Sequence, residues 1–276
     1  MNQKNEFSTT GLDQYLKNMW NDYCLMNPQA REISNAFESK NEVLVNDHIA
    51  LRTVNHSKLG IKSLARHFEK YGYFANGEYF FKEKKLYAQH FENKLNPDFP
   101  KIFISELELE KMSPFVNEIY SKIIEEFPLD SIDNETFVYG GTFWKKRYEI
   151  YARLAEESEY ASWLYAFGFR PNHFTVSVNH LKNFKELKDV NLFIKNLGYS
   201  LNSSGGEIKG TPQELLEQSS TLANLIEVNF EDGAFKIPSC YYEFAKRYPL
   251  KNGINYQGFI AQSADKIFES TNKAAN

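Results

Sequence analysis

Apolar positions recur at helical spacing over residues 11–40, through Leu12, Leu16, Met19, Trp20, Tyr23 and Met26, and Pro28 breaks or restarts the run. Residues 41–54 then read as a strand. Residues 60–73 form an amphipathic helix whose apolar face carries Ile61, Leu64, Ala65 and Phe68. Two strand-like segments, GEYFF and KLYAQHFE, flank the charged turn KEKK, and KIFISELELE (101–110) is a further strand. Residues 112–127 predict a helix with Ser113 as N-cap and Pro114 at its first position. A second helical stretch covers 148–168. Strand, helix and strand patterns return at 172–181, 183–199 and 224–233, with a mixed segment at 200–220 and a tail rich in Tyr and Phe at 238–271.

This order contains a weak internal repeat. DHIALRT at 47–53 parallels NHFTVSV at 172–178, and each is followed by an amphipathic helix and later by a strand with one central acid. His48 to Glu106 is 58 positions and His173 to Glu227 is 54. Two βαβββ modules, about 41–127 and 170–271, separated by a helical insert at 128–169, would face each other as a cupped mixed sheet. The expected fold is α+β, one catalytic domain over 11–271, with additional helices and flexible termini at 1–10 and 272–276.

Side chains two apart on a strand share a face. His48, Ala50 and Arg52 therefore share one face, His173, Thr175 and Ser177 another, and Glu227 and Asn229 a third, each with apolar residues behind. Two histidines and a carboxylate are the donor set of a facial triad that leaves positions open on a non-haem Fe(II). His48, His173 and Glu227 are the expected ligands. The plainer reading is that a strand histidine is a satisfied core or surface group. Glu106 is the other candidate acid, and with it the site would resemble a two-His, two-Glu zinc or nickel centre. Arg52, about 13 Å along the strand from His48, could hold a substrate carboxylate through two bonds or serve a structural ion pair. Tyr241 and Tyr242 could line the pocket or belong to the core, and His90 could reach the cup from its strand.

Composition narrows the classes. Lys+Arg is 32 against 36 Asp+Glu, a net charge of −4, so no global field favours nucleic acid or anionic membranes. Cys24 and Cys240 lie far apart with no CxxC spacing, which argues against a disulfide framework or a structural zinc site. The N-terminal segment has no apolar core of a secretory signal, and no apolar run suffices for a membrane span. Cytoplasm is the expected compartment.

Several motifs carry a family resemblance: DHIALRT, PKIFISEL, RPNHFTVSVNHL, QSSTLA, IEVNFEDG, IPSCYYEFAKRYP and GFIAQSADKIFEST. Over about 11–271 the chain resembles the 2-oxoadipate dioxygenase/decarboxylase (hydroxyglutarate synthase) family, a branch of the vicinal oxygen chelate superfamily. The resemblance implies Fe(II) held by His48, His173 and Glu227, with Arg52 binding substrate and Gln262 and Ser263 contacting it from the tail. Long family members have a small apolar residue at the Gln262 position, and this chain lacks some of their insertions. The implied reaction takes 2-oxoadipate, or a related 2-oxo acid, and O₂ to 2-hydroxyglutarate and CO₂. Two other classes share the fold: a redox-neutral zinc or nickel isomerase or lyase, needing Glu106 as fourth ligand, and a non-catalytic small-molecule binder.

Overall fold

The structure is a computed structural model describing residues 10–128 and 131–271. The termini expected to be flexible lie outside the described residues except for Thr10. The first module runs β1 (Asn46–Val54), α3 (Ile61–Glu69), β2 (Tyr73–Phe81), β3 (Leu86–Asn93) and β4 (Lys101–Leu107), after the helices α1 (Leu12–Met26) and α2 (Pro28–Glu38). The connection carries α4 (Pro114–Glu125), α5 (Tyr148–Glu157) and α6 (Glu159–Phe167). The second module runs β5 (Pro171–Ser177), α7 (Leu187–Asn196), β6 (Lys209–Thr211), β7 (Leu216–Ser220) and β10 (Tyr241–Arg247), and α8 (Ala261–Phe268) follows. Between β7 and β10 the chain inserts a separate two-stranded ribbon, β8 (Leu225–Phe230) with β9 (Gly233–Pro238). Among the described residues no helix is long and apolar enough to cross a membrane.

The eight-stranded sheet has the order β2-β3-β4-β1-β5-β10-β7-β6. In each module the first strand pairs parallel with the last: β1 with β4, and β5 with β10. The two first strands then pair antiparallel at the centre, with His48 opposite Thr175 and Ala50 opposite His173. This is the repeat of the sequence folded as two βαβββ units in one mixed, curled sheet.

Strand alternation assigns the two faces. Phe174 and Phe244 point outward to the N-terminal helices, where Trp20 meets Phe174 edge-on at 5.1 Å and Phe37 lies 6.2 Å from Phe244. Burying each such ring contributes about 1.5–3 kcal/mol. The other face carries His48, Arg52, His173, Thr175 and Glu243, all buried. Helix α6 closes one end of that face. Ser158 caps it by accepting from Ala161 N, and the Tyr160 hydroxyl donates to Ser105 O at 2.6 Å while accepting from Thr53 N at 3.0 Å. Those bonds fix Tyr160 and Trp163 over Arg52. The ribbon sits elsewhere, with Phe235 stacked on Tyr148 at 3.7 Å and Asp232 accepting from Tyr148 N and Glu149 N at the start of α5.

Candidate metal centre

His48 and His173 come from neighbouring antiparallel strands, and the acid beside them is Glu243 on β10. One donor atom from each of the three lies within 4.8 Å of the others, and all three residues are buried. Glu243 Oε1 is 3.5 Å from His48 Nε2 and Oε2 is 3.2 Å from His173 Nε2.

The expected acid, Glu227, is not with them. It lies on the ribbon strand β8, exposed, opposite Lys236. Its strand alternates as read, but its polar face is the solvent face. The ribbon also upsets the repeat arithmetic. The register places Phe103 opposite Ala50 in module one and Glu243 opposite Thr175 in module two, so Phe103 is the true counterpart of Glu243. His48 to Phe103 is 55 positions and His173 to Glu243 is 70, and the ribbon spans 14 residues, Leu225–Pro238. The available signal was a lone acid in the otherwise apolar run Tyr241–Ala245, which has no cheap way to be buried unpaired. Glu106 is no ligand candidate either: its Oε2 accepts from Ile61 N at 2.9 Å, at the N-terminus of α3.

Protonation states follow from partners. His48 Nδ1 lies 2.8 Å from Asp47 Oδ1, an acceptor, so Nδ1 carries the hydrogen and Nε2 presents a lone pair. Thr175 Oγ1 approaches that Nε2 at 3.1 Å. His173 Nδ1 faces Asn172 Oδ1 at 3.2 Å, which turns its Nε2 lone pair inward as well. Burial holds both imidazoles below the ordinary histidine range, with neighbouring Asp47 partly opposing this at His48. Burial pushes the Glu243 carboxyl up to about 8, although Gln218 Nε2 donates to Oε1 at 2.6 Å. Glu243 Oε2 has no hydrogen bond. Two imidazole lone pairs and a carboxyl group with one oxygen free of hydrogen bonds thus converge, and a divalent cation that displaced the carboxyl proton would satisfy all three.

Behind His48, Arg247 Nε and Nη2 donate to Asp47 at 2.7 and 2.9 Å, and its Nη1 donates to Tyr256 O and Gly258 O. Burial opposes the Asp47 charge, yet Arg247 and His48 hold its carboxyl well below the usual range. Such a carboxylate fixes the tautomer and aim of a metal-binding histidine. Asp47→Asn should weaken metal affinity about 10–100-fold, measured by chelator competition.

The donors open on a small pocket walled by Phe103, Phe259, Ala264, Ile267 and Phe268. Phe259 packs edge-on against His48 at 4.8 Å. Its backbone N–H donates to the Tyr79 hydroxyl, which also bonds His90 Nδ1 at 2.8 Å, so His90 supports the wall. Tyr241 stacks on His173 at 4.7 Å, whereas Tyr242 faces the outer core. Gln262, expected at the substrate, is exposed on α8 and does not line this pocket. Ser263 is buried but faces Gly210 on β6, where a Cβ would come within 3.2 Å of its hydroxyl. The pocket-facing residues of α8 are Ala264, Ile267 and Phe268, one helical face.

Arg52 is fully buried on the His48 face. Its Nη1 donates to Glu159 Oε1 at 2.8 Å, and its guanidinium lies against Tyr160, Trp163 and Phe268 at 4.8, 5.0 and 5.8 Å. Nη2 makes one long bond to Thr271 Oγ1 at 3.4 Å, and Nε has no partner. The guanidinium edge formed by Nε and Nη2 is therefore nearly unused.

A curled sheet of two βαβββ units is the fold of glyoxalase-like, vicinal oxygen chelate-type proteins, and here its inner face carries a buried two-histidine, one-carboxylate cluster that could hold a metal ion. A Ralstonia eutropha protein of the glyoxalase superfamily shares this fold at TM-score 0.73 and 18% identity, over 88% of this chain and 83% of its own. Within that class the chain belongs to the 2-oxoadipate dioxygenase/decarboxylase family, whose profile matches residues 15–253. It is 36% identical to the chloroplastic 2-oxoadipate dioxygenase/decarboxylase of Arabidopsis thaliana, over 90% of this chain and 74% of the relative. The rice hydroxyglutarate synthase, solved in complex with 2-oxoadipate, superposes with TM-score 0.90 at 33% identity, over 98% of this chain and 94% of that one. A Shewanella frigidimarina structure carrying a provisional hydrolase label is 46% identical, with TM-score 0.86 over 90% of this chain and 97% of its own.

Proposed function

We propose that this protein is an Fe(II)-dependent dioxygenase that converts 2-oxoadipate, or a closely related 2-oxo diacid, and O₂ to 2-hydroxyglutarate and CO₂, as a step in lysine breakdown. The observation that carries the metal is the convergence of His48 Nε2, His173 Nε2 and a Glu243 carboxylate oxygen that has no hydrogen bond. Those three residues would hold the iron, in place of the set with Glu227. When bound, Fe(II) supplies the one-electron chemistry O₂ needs to react with an organic acid, and three protein ligands leave positions for substrate and O₂.

The chain's own residues do the rest. Asp47 and Arg247 keep the His48 lone pair aimed inward. Phe103, Phe259, Ile267 and Phe268 exclude water from the reacting centre. Arg52 offers its free edge to a substrate carboxylate, with the rings of Tyr160 and Trp163 against the guanidinium to fix its orientation and keep it dry. Six substrate carbons become five in the product and one in CO₂. One oxygen atom of O₂ enters the new carboxylate and the other the hydroxyl, so no second 2-oxo acid is consumed.

The redox-neutral alternative loses its footing on one observation. The position symmetric to Glu243 holds Phe103, and Glu106 is engaged with Ile61 N, so among the described residues no fourth carboxylate or histidine joins the three.

The test is metal analysis of protein purified without added metal, followed by an oxygen-electrode assay. The expected result is iron near one per chain, with O₂ and 2-oxoadipate consumed in equal amounts. Iron-loaded protein that consumes no O₂ with 2-oxoadipate would refute the reading.

A further inference from the structure

The metal pocket is too small for the substrate just assigned to it. It holds about 20 Å³ of open space, room for about one ordered water, whereas small-molecule sites commonly offer about 300–1,000 Å³. A six-carbon diacid therefore enters only if a wall moves.

Phe268 is the wall residue that faces outward as well as inward. It lines the metal pocket and also an open cleft of about 240 Å³ bounded by Lys84, Lys85, Glu157, Glu159 and Tyr160. The opposite end of the cup has a polar pocket of similar size, about 250 Å³, around Lys101, Arg247 and Gln257, but it shares no residue with the metal pocket. There the Asp47–Arg247 pair stands in the way, tied by two short side-chain hydrogen bonds, with Phe259 beside it anchored through its backbone N–H to the Tyr79 hydroxyl. The Phe268 side chain is held by ring contacts, meeting Phe81 edge-on at 5.2 Å and Arg52 at 5.8 Å. Displacing it breaks no side-chain hydrogen bond.

We infer that the cleft beside the charged β2–β3 turn is the substrate vestibule and that Phe268 is the gate between it and the metal pocket. The inference rests on the proposed diacid substrate for its size argument. Passage beneath the Phe268 ring leads a carboxylate towards Arg52, whose guanidinium carbon lies 5.8 Å from that ring and whose Nε has no hydrogen-bond partner. The Arg52–Glu159 pair spans the same boundary, because Glu159 also lines the cleft. Selection for a diacid then begins at the gate, before the metal is reached.

Single cysteines at the two mouths test this in the whole metal-loaded protein: Glu83→Cys at the cleft and Gln257→Cys at the opposite pocket, each compared with and without a bulky maleimide. The native thiols, Cys24 and Cys240, are buried. Two rates are read: turnover of 2-oxoadipate, and removal of the metal by the rigid diacid chelator pyridine-2,6-dicarboxylate. Labelling at 83 should slow both at least tenfold, and labelling at 257 less than twofold. Phe268→Ala should speed metal removal at least fivefold. Equal slowing from both labels, slowing only from position 257, or no acceleration in Phe268→Ala overturns the gate. Absence of turnover in the unlabelled proteins counts against the function instead, and the chelator rates still decide the gate.

Discussion

Glu243→Gln should remove metal binding almost completely while leaving a folded protein. The substitution keeps the shape of the side chain and its contact with Gln218, and removes the one donor of the three that can ionise to give a metal a negative ligand. Residues that only orient a metal ligand are worth about 10–100-fold in affinity, so loss of the charged donor itself should exceed 100-fold. Metal-dependent turnover should fall with it. The metal-free variant should be more stable than metal-free wild type, because a buried carboxylate without a full complement of partners is costly. A gain of about 1 kcal/mol corresponds to a Tm rise of about 2–4 °C for a chain of this size class. Added metal should raise the Tm of wild type and not of the variant. Glu227→Gln is the control, with metal content and activity both at wild-type level. Retention of metal by Glu243→Gln together with its loss in Glu227→Gln would restore the ribbon acid.

Arg52→Lys should keep the metal and lose most of kcat/KM. Lysine preserves the charge, but a single ammonium cannot present the flat two-donor edge that Nε and Nη2 form. It also gives up the stacking on Tyr160 and Trp163. Arg52→Ala should lose more, roughly 3 kcal/mol or over 100-fold in kcat/KM, on the scale of a broken buried charge pair. Folding should survive, because the partner Glu159 is partly exposed, at 26%, and can turn to solvent. Iron stoichiometry measured on the same samples separates loss of substrate binding from loss of metal. Unchanged kcat and KM in Arg52→Ala would make the residue a structural ion pair with Glu159.

Both predictions depend on how far local pattern carries into tertiary position. The two histidines were legible because strand alternation in HIALR and HFTVS decides a face, and the repeat says the two faces meet. The acid was not legible by spacing. An insertion that forms its own two-stranded sheet changes the distance along the chain without changing the sheet, so spacing points to Glu227 where the fold brings Glu243 beside the histidines. Its companions carried the warning: Leu225, Glu227 and Asn229 share a face that is exposed throughout, whereas Glu243 stands among Tyr241, Tyr242, Phe244 and Ala245, all buried. Gln262 lies off the pocket wall for a related reason. A motif marks a segment as near the site, but helical periodicity decides which of its side chains arrive, and on α8 these are Ala264, Ile267 and Phe268. Arg52 was placed on the correct face by even spacing alone. Its aromatic surroundings come from α6, more than 100 positions away along the chain, and nothing local announces them.

The bond between Arg247 and Asp47 joins the last strand of one half of the molecule to the first strand of the other. Of the metal-facing donors, His48 belongs to the first half and His173 and Glu243 to the second. Neither half alone contains a complete coordination set, and the first half alone lacks the guanidinium that anchors Asp47 behind His48. Metal affinity is thereby a report on correct joining of the two halves. If the chain were expressed as two fragments cut within the connecting helical segment, tight binding should appear only on reassembly, in step with fragment concentration. The two-fold repeat is thus unequal at its centre: of two equivalent positions, one, Glu243, stands with the donors and the other, Phe103, forms pocket wall.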